Sequence, residues 1–509
     1  MQVLPGLETA RHYIDGRFTD GVRGETFPTL NPATNEPLAR VAAGTPEDVD
    51  RAVQAARRAF DEGPWPRLPA ADRARILRRI ADVIERRADE IARVEVLDTG
   101  IPLTQIRQGQ VLRAADNFRF FAEMATRIPT EAYPKDGEFL NYVRRVPVGV
   151  VGLITPWNTP FMLETWKLAP CLAAGCTCVL KPAEWAPLSA VRLVEAVQEA
   201  GVPPGVVNLV HGIGEVAGAA LVAHPGVNAI SFTGETTTGM EILRTGAATL
   251  KRFSMELGGK SPVLVFPDAD LERALDAVLV GVYTLNGERC TANSRLLVHE
   301  SIADAFVERL VRRVAALRLG DPLDPATEVG PLIHPDHWER VHGYVRLGEA
   351  EGAHLATGGR RPAGLPQGNY LEPAVFTDVR PSMRIFQEEI FGPVLVVTRF
   401  RDETEAVRLA NAVRYGLAAY VWTGDVARAH RVAHALEAGM VWVNSHNVRD
   451  LRTPFGGMKH SGIGREGGHY SFDFFMEYQT VHVALGTHRI PRLGTGEPLR
   501  PTDVRRLGG

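Results

Sequence analysis

An α/β protein, built on a doubly wound Rossmann-type parallel sheet with a second α/β unit behind it, is what this 509-residue sequence predicts. Three observations carry the prediction. Short, continuous apolar runs alternate with helical stretches from Val146 onward, each run stops in turn residues, and a second strand and helix series begins after "MELGGKSPVLVFPDAD". Strands that are apolar throughout are buried on both faces, which requires helices on both sides of a parallel sheet. A chain of this length also exceeds what one hydrophobic core usually sustains, so two or more folding units are expected.

In chain order, the first helical signal is "TPEDVDRAVQAARRAFDEG", which opens on Thr45 as a cap, places acids in the first turn and sets Val49, Val53 and Ala56 on one face before Phe60. "AADRARILRRIADVIERRADEIARVEVLDTG" repeats the pattern through Ile76, Ile80, Val83 and Ile84, and a third helix is predicted from about Pro102 to Met124. The period then changes. "VPVGVVGLITPW", "CTCVLKP", "VVNLVHG" and "AISFTG" read as four buried strands. Ligands of such a sheet lie at the carboxyl ends of its strands, so the chemistry is expected where these runs stop. "SRLLVHE", "IADAFVERLVRRVAALRLG", "GPVLVVTRF" and "AVRLANAVRYGLAAYVWTG" supply the second unit. No period of about 20 to 50 residues recurs, which sets repeat architectures aside.

Composition narrows the function. Lys plus Arg (57) nearly balance Asp plus Glu (60), so no global positive field exists to hold a phosphate backbone, and nucleic acid is not an expected partner. The N-terminus lacks the basic start and apolar run of a secretory signal, and no apolar window reaches the roughly 18 residues that span a bilayer; a cytoplasmic protein without a membrane partner is expected. Four cysteines suit reduced thiols, and the three in "CLAAGCTC" (Cys171, Cys176, Cys178) read as buried and inert. Cys176 and Cys178 have no second Cys or His pair, so no metal site is expected.

Single residues at the strand ends each carry a functional and a plain reading. Asn158 in "ITPWNTP" could hold a developing oxyanion or be a turn residue. Glu184 in "VLKPAEW" is placed to accept from ribose hydroxyls, or is a solvated turn charge. Gly234 in "SFTGETTTG" lets backbone N–H groups approach a pyrophosphate. "HGIGEVAG" has one residue too many for Gly-x-Gly-x-x-Gly and reads as a glycine-lined turn. Glu256 in "MELGGKSP" could accept a proton from water or lie on the surface. Cys290 in "NGERCTANS" follows Gly287 and precedes small polar residues, without the apolar neighbours of a core thiol, which favours an accessible sulfur.

Order and company make these residues specific. Asn158, Lys181, Glu184, Gly234, Glu256 and Cys290, together with "EEIFGPV" and "PFGGMKHSGIGREGG", resemble the NAD(P)-dependent aldehyde dehydrogenase superfamily over most of the chain. The resemblance implies an NAD-binding domain (1–128 and 147–257), a catalytic domain (258–470) and a small β bridging element (129–146 and 471–490) that joins a homodimer or homotetramer. It assigns Cys290 as the nucleophile that attacks the aldehyde, with oxidation to a thioester by hydride transfer to NAD. It gives the oxyanion to Asn158 with support from Lys167, and water activation to Glu256, with Glu466 as a second proton acceptor left unranked. Lys181, Glu184 and Glu389 would hold the riboses, Ile154, Trp157, Gly214 and Gly234 would line the cofactor cleft, and Phe391 would pack near the nicotinamide. The charge of Glu184 implies NAD over NADP, because it would repel a 2′-phosphate.

This chain departs from the general pattern around the substrate. It carries "NGERC" where many members have Gly-Gln, and "NSHNVRDLRTPFGG" where others carry aromatic or neutral residues. Arg113, Arg449 and Arg452 are therefore read together as pointing to a carboxylated semialdehyde, with Arg113 and Arg452 as its carboxylate clamp, because a guanidinium fork binds both carboxylate oxygens. The plain reading pairs them with Asp116 and Asp450 on the surface. The substrate the resemblance favours is 5-carboxymethyl-2-hydroxymuconate semialdehyde of 4-hydroxyphenylacetate breakdown, with 2-hydroxymuconate and 2-aminomuconate semialdehydes as alternatives. Acyl transfer to coenzyme A, and a non-catalytic protein on the same fold, are the competing functions.

Overall fold

The structure, a computed structural model, describes residues 6–135, 137–488 and 490–496. Residues 1–5 of the expected 1–128 segment, residue 136 of 129–146 and residue 489 of 471–490 lie outside the described residues.

Two sheets dominate. The first has eight strands, ordered Gly462–Ile463, Arg252–Glu256, Ala229–Thr233, Val150–Ile154, Thr177–Lys181, Val207–Leu209, His12–Ile14 and Arg17–Thr19. Its five central strands are parallel, and those of the runs "VVGLI", "TCVLK" and "AISFT" are buried at every position, as their unbroken apolar character requires. The two N-terminal strands form an antiparallel hairpin at one edge, and Gly462–Ile463 closes the other edge antiparallel to Arg252–Glu256. This last pairing crosses the expected division at residue 258, since it carries the "HSGIG" segment onto the first sheet.

The second sheet has seven strands in the order His354–Thr357, Ala374–Thr377, Val394–Phe400, Arg295–His299, Pro262–Val265, Ala418–Trp422 and Met440–Val443. All neighbours are parallel except the first pair. A third, antiparallel sheet joins Glu131–Lys135, Phe139–Pro147 and Met476–Ala484, from the segments expected to bridge subunits.

The helices match their sequence signals with two refinements. Helix Pro46–Asp61 begins with a reciprocal box, in which the Thr45 hydroxyl accepts from Asp48 N–H and Asp48 Oδ2 accepts from Thr45 N–H at 3.1 Å. The long pattern after Ala70 divides at Arg87 into Ala70–Arg86 and Ala88–Thr99. The third helix contains a π turn at Arg107–Val111 between Leu103–Ile106 and Leu112–Ala125. Such a turn adds a residue to the ladder and resets the phase of the next helical turns, here the stretch that carries Arg113. No helix of the described residues is long and apolar enough to cross a membrane.

Candidate active site

The carboxyl ends of the first sheet and the Cys290 loop face one cleft. Its outer chamber, about 590 Å³, is lined by Ile154, Trp157, Lys181, Glu184, Gly214 and Gly234 among others. Its inner chamber, about 380 Å³, shares Trp157 and Gly234 and adds Asn158, Glu256, Cys290, Glu389 and Phe391. All eight residues expected to line a cofactor site thus share one elongated cleft that ends at a sulfur.

Each chamber has a polar end. In the outer one, buried Lys181 comes off its strand and ion-pairs with half-buried Glu184 at 3.1 Å, leaving carboxylate capacity for a further donor. Gly214 opens a π turn, and a side chain there would meet nothing within 4 Å, so it faces open space. In the inner one, Glu389 Oε1 accepts from Gly259 N–H at 2.8 Å, and any side chain at Gly258 would collide with the same carboxylate. Burial raises the Glu389 carboxyl to about 7. Phe391 adopts φ +61° and meets the Trp157 ring edge-on at 5.1 Å, while its carbonyl accepts from His337 Nε2 at 2.7 Å. A glycine-lined cradle with a carboxylate near each end fits a dinucleotide, whose ribose hydroxyls are donors.

Cys290 is held by an unusual stretch of backbone. Leu285, Asn286 and Gly287 run at φ +53°, +57° and +76°, the left-handed region that costs the two non-glycine residues roughly 1–3 kcal/mol each. Asn286 offsets that cost with three hydrogen bonds: its Nδ2 donates to Gly100 and Pro331 carbonyls at 3.1 and 2.9 Å, and its Oδ1 accepts from Gly330 N–H at 2.7 Å. A side chain at Gly287 would collide with Gly392, and one at Gly259 with the Cys290 carbonyl. The sulfur is half-buried, and burial, with the charges of Glu389 and Glu256, raises its thiol to about 12 against the opposing pull of Arg449 and Arg289. Asn158 Nδ2 donates to Glu288 O at 3.0 Å, tying it to the residue two before the cysteine, with a second amide hydrogen to spare.

Glu288 stands where the general pattern has glutamine. Its carboxyl is buried, accepts from Ile333 N–H at 3.0 Å and is held well above the ordinary carboxylate range by that burial. Burial thus favours the protonated form of Glu288, which is nearly isosteric with the amide it replaces.

Sequence alone leaves two carboxylates unranked, and their bonding separates them. Glu466 Oε1 accepts from Lys167 Nζ at 2.7 Å and from the Ser231 hydroxyl at 3.2 Å. Glu256 is buried with neither oxygen hydrogen-bonded, and desolvation first, then Glu466, hold its carboxyl well above the usual range. Lys167, expected on the oxyanion side, instead donates to Glu466 and Ser231 (2.9 Å), so its charge acts on the carboxylate pair and not on Asn158.

The arginines also separate. Arg452 is not brought to the cleft. Its side chain is 79% exposed and Nη2 ion-pairs with Asp450 at 2.5 Å, because the acid two residues earlier in the same loop captures it. Arg449 is half-buried with its guanidinium 3.7 Å over the Phe455 ring, and it acts electrostatically on Arg113, Cys290 and Glu256. Arg113, also half-buried, feels Arg289, a residue that spacing does not single out although it directly precedes the cysteine.

This geometry agrees with the comparisons. The model of the aldehyde dehydrogenase family matches residues 18–481, and the chain belongs to that family. It is an NAD-dependent aldehyde dehydrogenase. Over 470 residues, 91% of this chain and 99% of the relative, it is 51% identical to the 5-carboxymethyl-2-hydroxymuconate semialdehyde dehydrogenase of Escherichia coli. The crystal structure of HpcC from Thermus thermophilus superposes with a TM-score of 0.93 at 55% identity, covering 96% of this chain and 95% of that one. The NAD+ complex of an aldehyde dehydrogenase from Bacillus cereus superposes at 0.92 with 43% identity, over 94% and 97% of the two chains.

Proposed function

We propose that this enzyme oxidises a carboxylated semialdehyde to the corresponding acid, with 5-carboxymethyl-2-hydroxymuconate semialdehyde as the substrate and 4-hydroxyphenylacetate or homoprotocatechuate catabolism as the setting. The observation that carries the substrate is the pair Arg113 and Arg449, half-buried, electrostatically coupled to each other, and without an ion-paired carboxylate among the described residues. A substrate carboxylate would supply the missing counter-charge. The name of the Escherichia coli relative is consistent with this substrate. The same reading includes assembly as a homodimer or homotetramer through the three-stranded sheet, and action in the cytoplasm.

The chemistry divides among the residues by position. Cys290 Sγ, its proton released to water and its thiolate favoured by Arg449 and Arg289, attacks the carbonyl carbon, and the oxygen becomes an oxyanion held by Asn158 Nδ2 and the Cys290 N–H, where each donor in a dry site contributes about 3 kcal/mol. Bound NAD supplies the acceptor for the hydride that leaves that carbon, and Lys181, Glu184 and Glu389 would hold it. Glu256 then removes a proton from water, whose oxygen attacks the thioester, and the C–S bond breaks to return the Cys290 thiolate. Glu466, held by Lys167, takes the proton onward from Glu256. With a free carboxylate next to the sulfur, hydrolysis is favoured over acyl transfer to coenzyme A.

The test is a rate comparison across neutral, monocarboxylated and dicarboxylated semialdehydes with NAD. Arg449→Met is expected to lower kcat/KM for carboxylated substrates by about 30- to 300-fold relative to a neutral aldehyde. Exposed Arg452 serves as the control, and Arg452→Ala should change the same ratio by less than about twofold. Equal behaviour of the two variants would refute the carboxylate reading. Cofactor choice is checked separately: Glu184→Gln should raise kcat/KM with NADP relative to NAD by about tenfold, by removing the charge that faces a 2′-phosphate.

A further inference from the structure

We infer that Arg289 is a specificity-determining residue that binds a second anionic group of the substrate, so that the site selects a dianionic semialdehyde over a monoanionic one. The inference rests on the reading of a carboxylated substrate given above and extends it to a residue that sequence spacing does not single out.

Three cations act on one another where two would serve a single carboxylate. Arg289 acts on Cys290 and on Arg113, and Arg113 acts on Arg449. Burial depresses both Arg113 and Arg449; Asp116 opposes it and Arg289 adds to it at Arg113, and Arg113 adds to it at Arg449, which falls to about 9. None of the three makes an ion pair with a carboxylate among the described residues; Asp116, three residues beyond Arg113, interacts with it only at longer range. Like charges close enough to act on one another, with no ion-paired carboxylate among the described residues, raise the cost of the empty site, and a ligand carrying the opposite charges relieves it.

Arg289 is also held in place by neutral groups only. Its Nη2 donates to the Thr284 hydroxyl at 3.0 Å, and Nη1 lies 3.5 Å from His446 Nε2. Burial lowers the His446 imidazole to about 4, so at neutral pH it is uncharged and its Nε2 can accept from the guanidinium. His446 is in turn fixed by stacking on Tyr420 (4.9 Å), which stacks on Trp442 (5.2 Å) and donates its hydroxyl to Thr291 O at 2.8 Å. The neutral supports orient the fork without neutralising it, which is the arrangement a charged ligand needs. Arg113 and Arg449 suffice for one carboxylate, and Arg289, on the backbone next to the sulfur, is left for the second anionic group.

Two measurements on the full-length enzyme test this. In the first, Arg289→Met should lower the kcat/KM ratio of a dicarboxylated to a monocarboxylated semialdehyde by about 30- to 300-fold, and Arg289→Lys, which keeps the charge, by a smaller factor. A ratio unchanged within about twofold overturns the inference. So does an equal fall for both substrates, which would assign Arg289 to the reactivity of Cys290 alone. The second needs no substrate: Cys290 is alkylated with iodoacetate and with iodoacetamide without NAD. The wild-type iodoacetate to iodoacetamide rate ratio, relative to a free thiol, should exceed one and fall at least about threefold in Arg289→Met. Should wild type prove indifferent to substrate charge, the function reading fails by itself, and an alkylation ratio insensitive to Arg289→Met would remove the anion site as well.

Discussion

Replacing Cys290 by alanine is expected to reduce aldehyde oxidation by on the order of 10⁴- to 10⁶-fold while NAD binding changes little. The size comes from the covalent route: without the sulfur no thiohemiacetal forms, and the oxyanion donors and cofactor cleft have nothing to act on. Cofactor affinity is insulated because Lys181, Glu184 and Gly214 lie in the outer chamber, away from the sulfur. Binding is read by the quenching of Trp157 and Trp185, which line both chambers. NADH production above about one per cent of wild type would displace Cys290 from its role. Conversely, lost fluorescence quenching would mean that alanine disturbs the strained Leu285–Gly287 backbone rather than the chemistry.

How far such a site can be read without coordinates depends on the kind of residue. The central strands of the first sheet are legible because burial on both faces leaves an unbroken apolar run, and chemistry at their carboxyl ends follows from topology alone. The outermost strands are not: His12–Ile14, Arg17–Thr19 and Gly462–Ile463 are two or three residues long and exist because neighbouring strands offer them hydrogen bonds. The π turn at Arg107–Val111 leaves no compositional trace, since it changes only which carbonyl each N–H meets. Side-chain direction is the larger gap. Arg449 and Arg452 share one loop and one chemistry, yet the first stacks on Phe455 and the second turns out to Asp450. Spacing cannot distinguish them, because an irregular loop has no period to say which way a residue points. Asn286 escapes sequence reading for a related reason, since its three bonds reach Gly100, Gly330 and Pro331, all remote in sequence.

Glu256→Gln should leave the first half of the reaction and stop the second. The expected trace is a burst of about one NADH per active site, then a steady rate lower than wild type by about 10²- to 10⁴-fold, the range that a positioned general base contributes. Intact-mass measurement during the slow phase should find the acyl group on Cys290 as a thioester. Glu256 suits the role better than Glu466 because its oxygens are unbonded, whereas Glu466 already holds Lys167 and Ser231. The pH dependence gives the sign independently. Burial and the neighbouring Glu466 charge raise the Glu256 carboxyl, and its active form is the ionised one, so steady turnover is lost as pH falls through a midpoint above the usual carboxylate range. Glu466→Gln removes the repelling charge and frees Lys167 to act on Glu256 alone; both effects lower that midpoint and move the acid limb to lower pH. A limb that stays in place, or Glu256→Gln enzyme that releases acid at the wild-type rate, would transfer the base to another group.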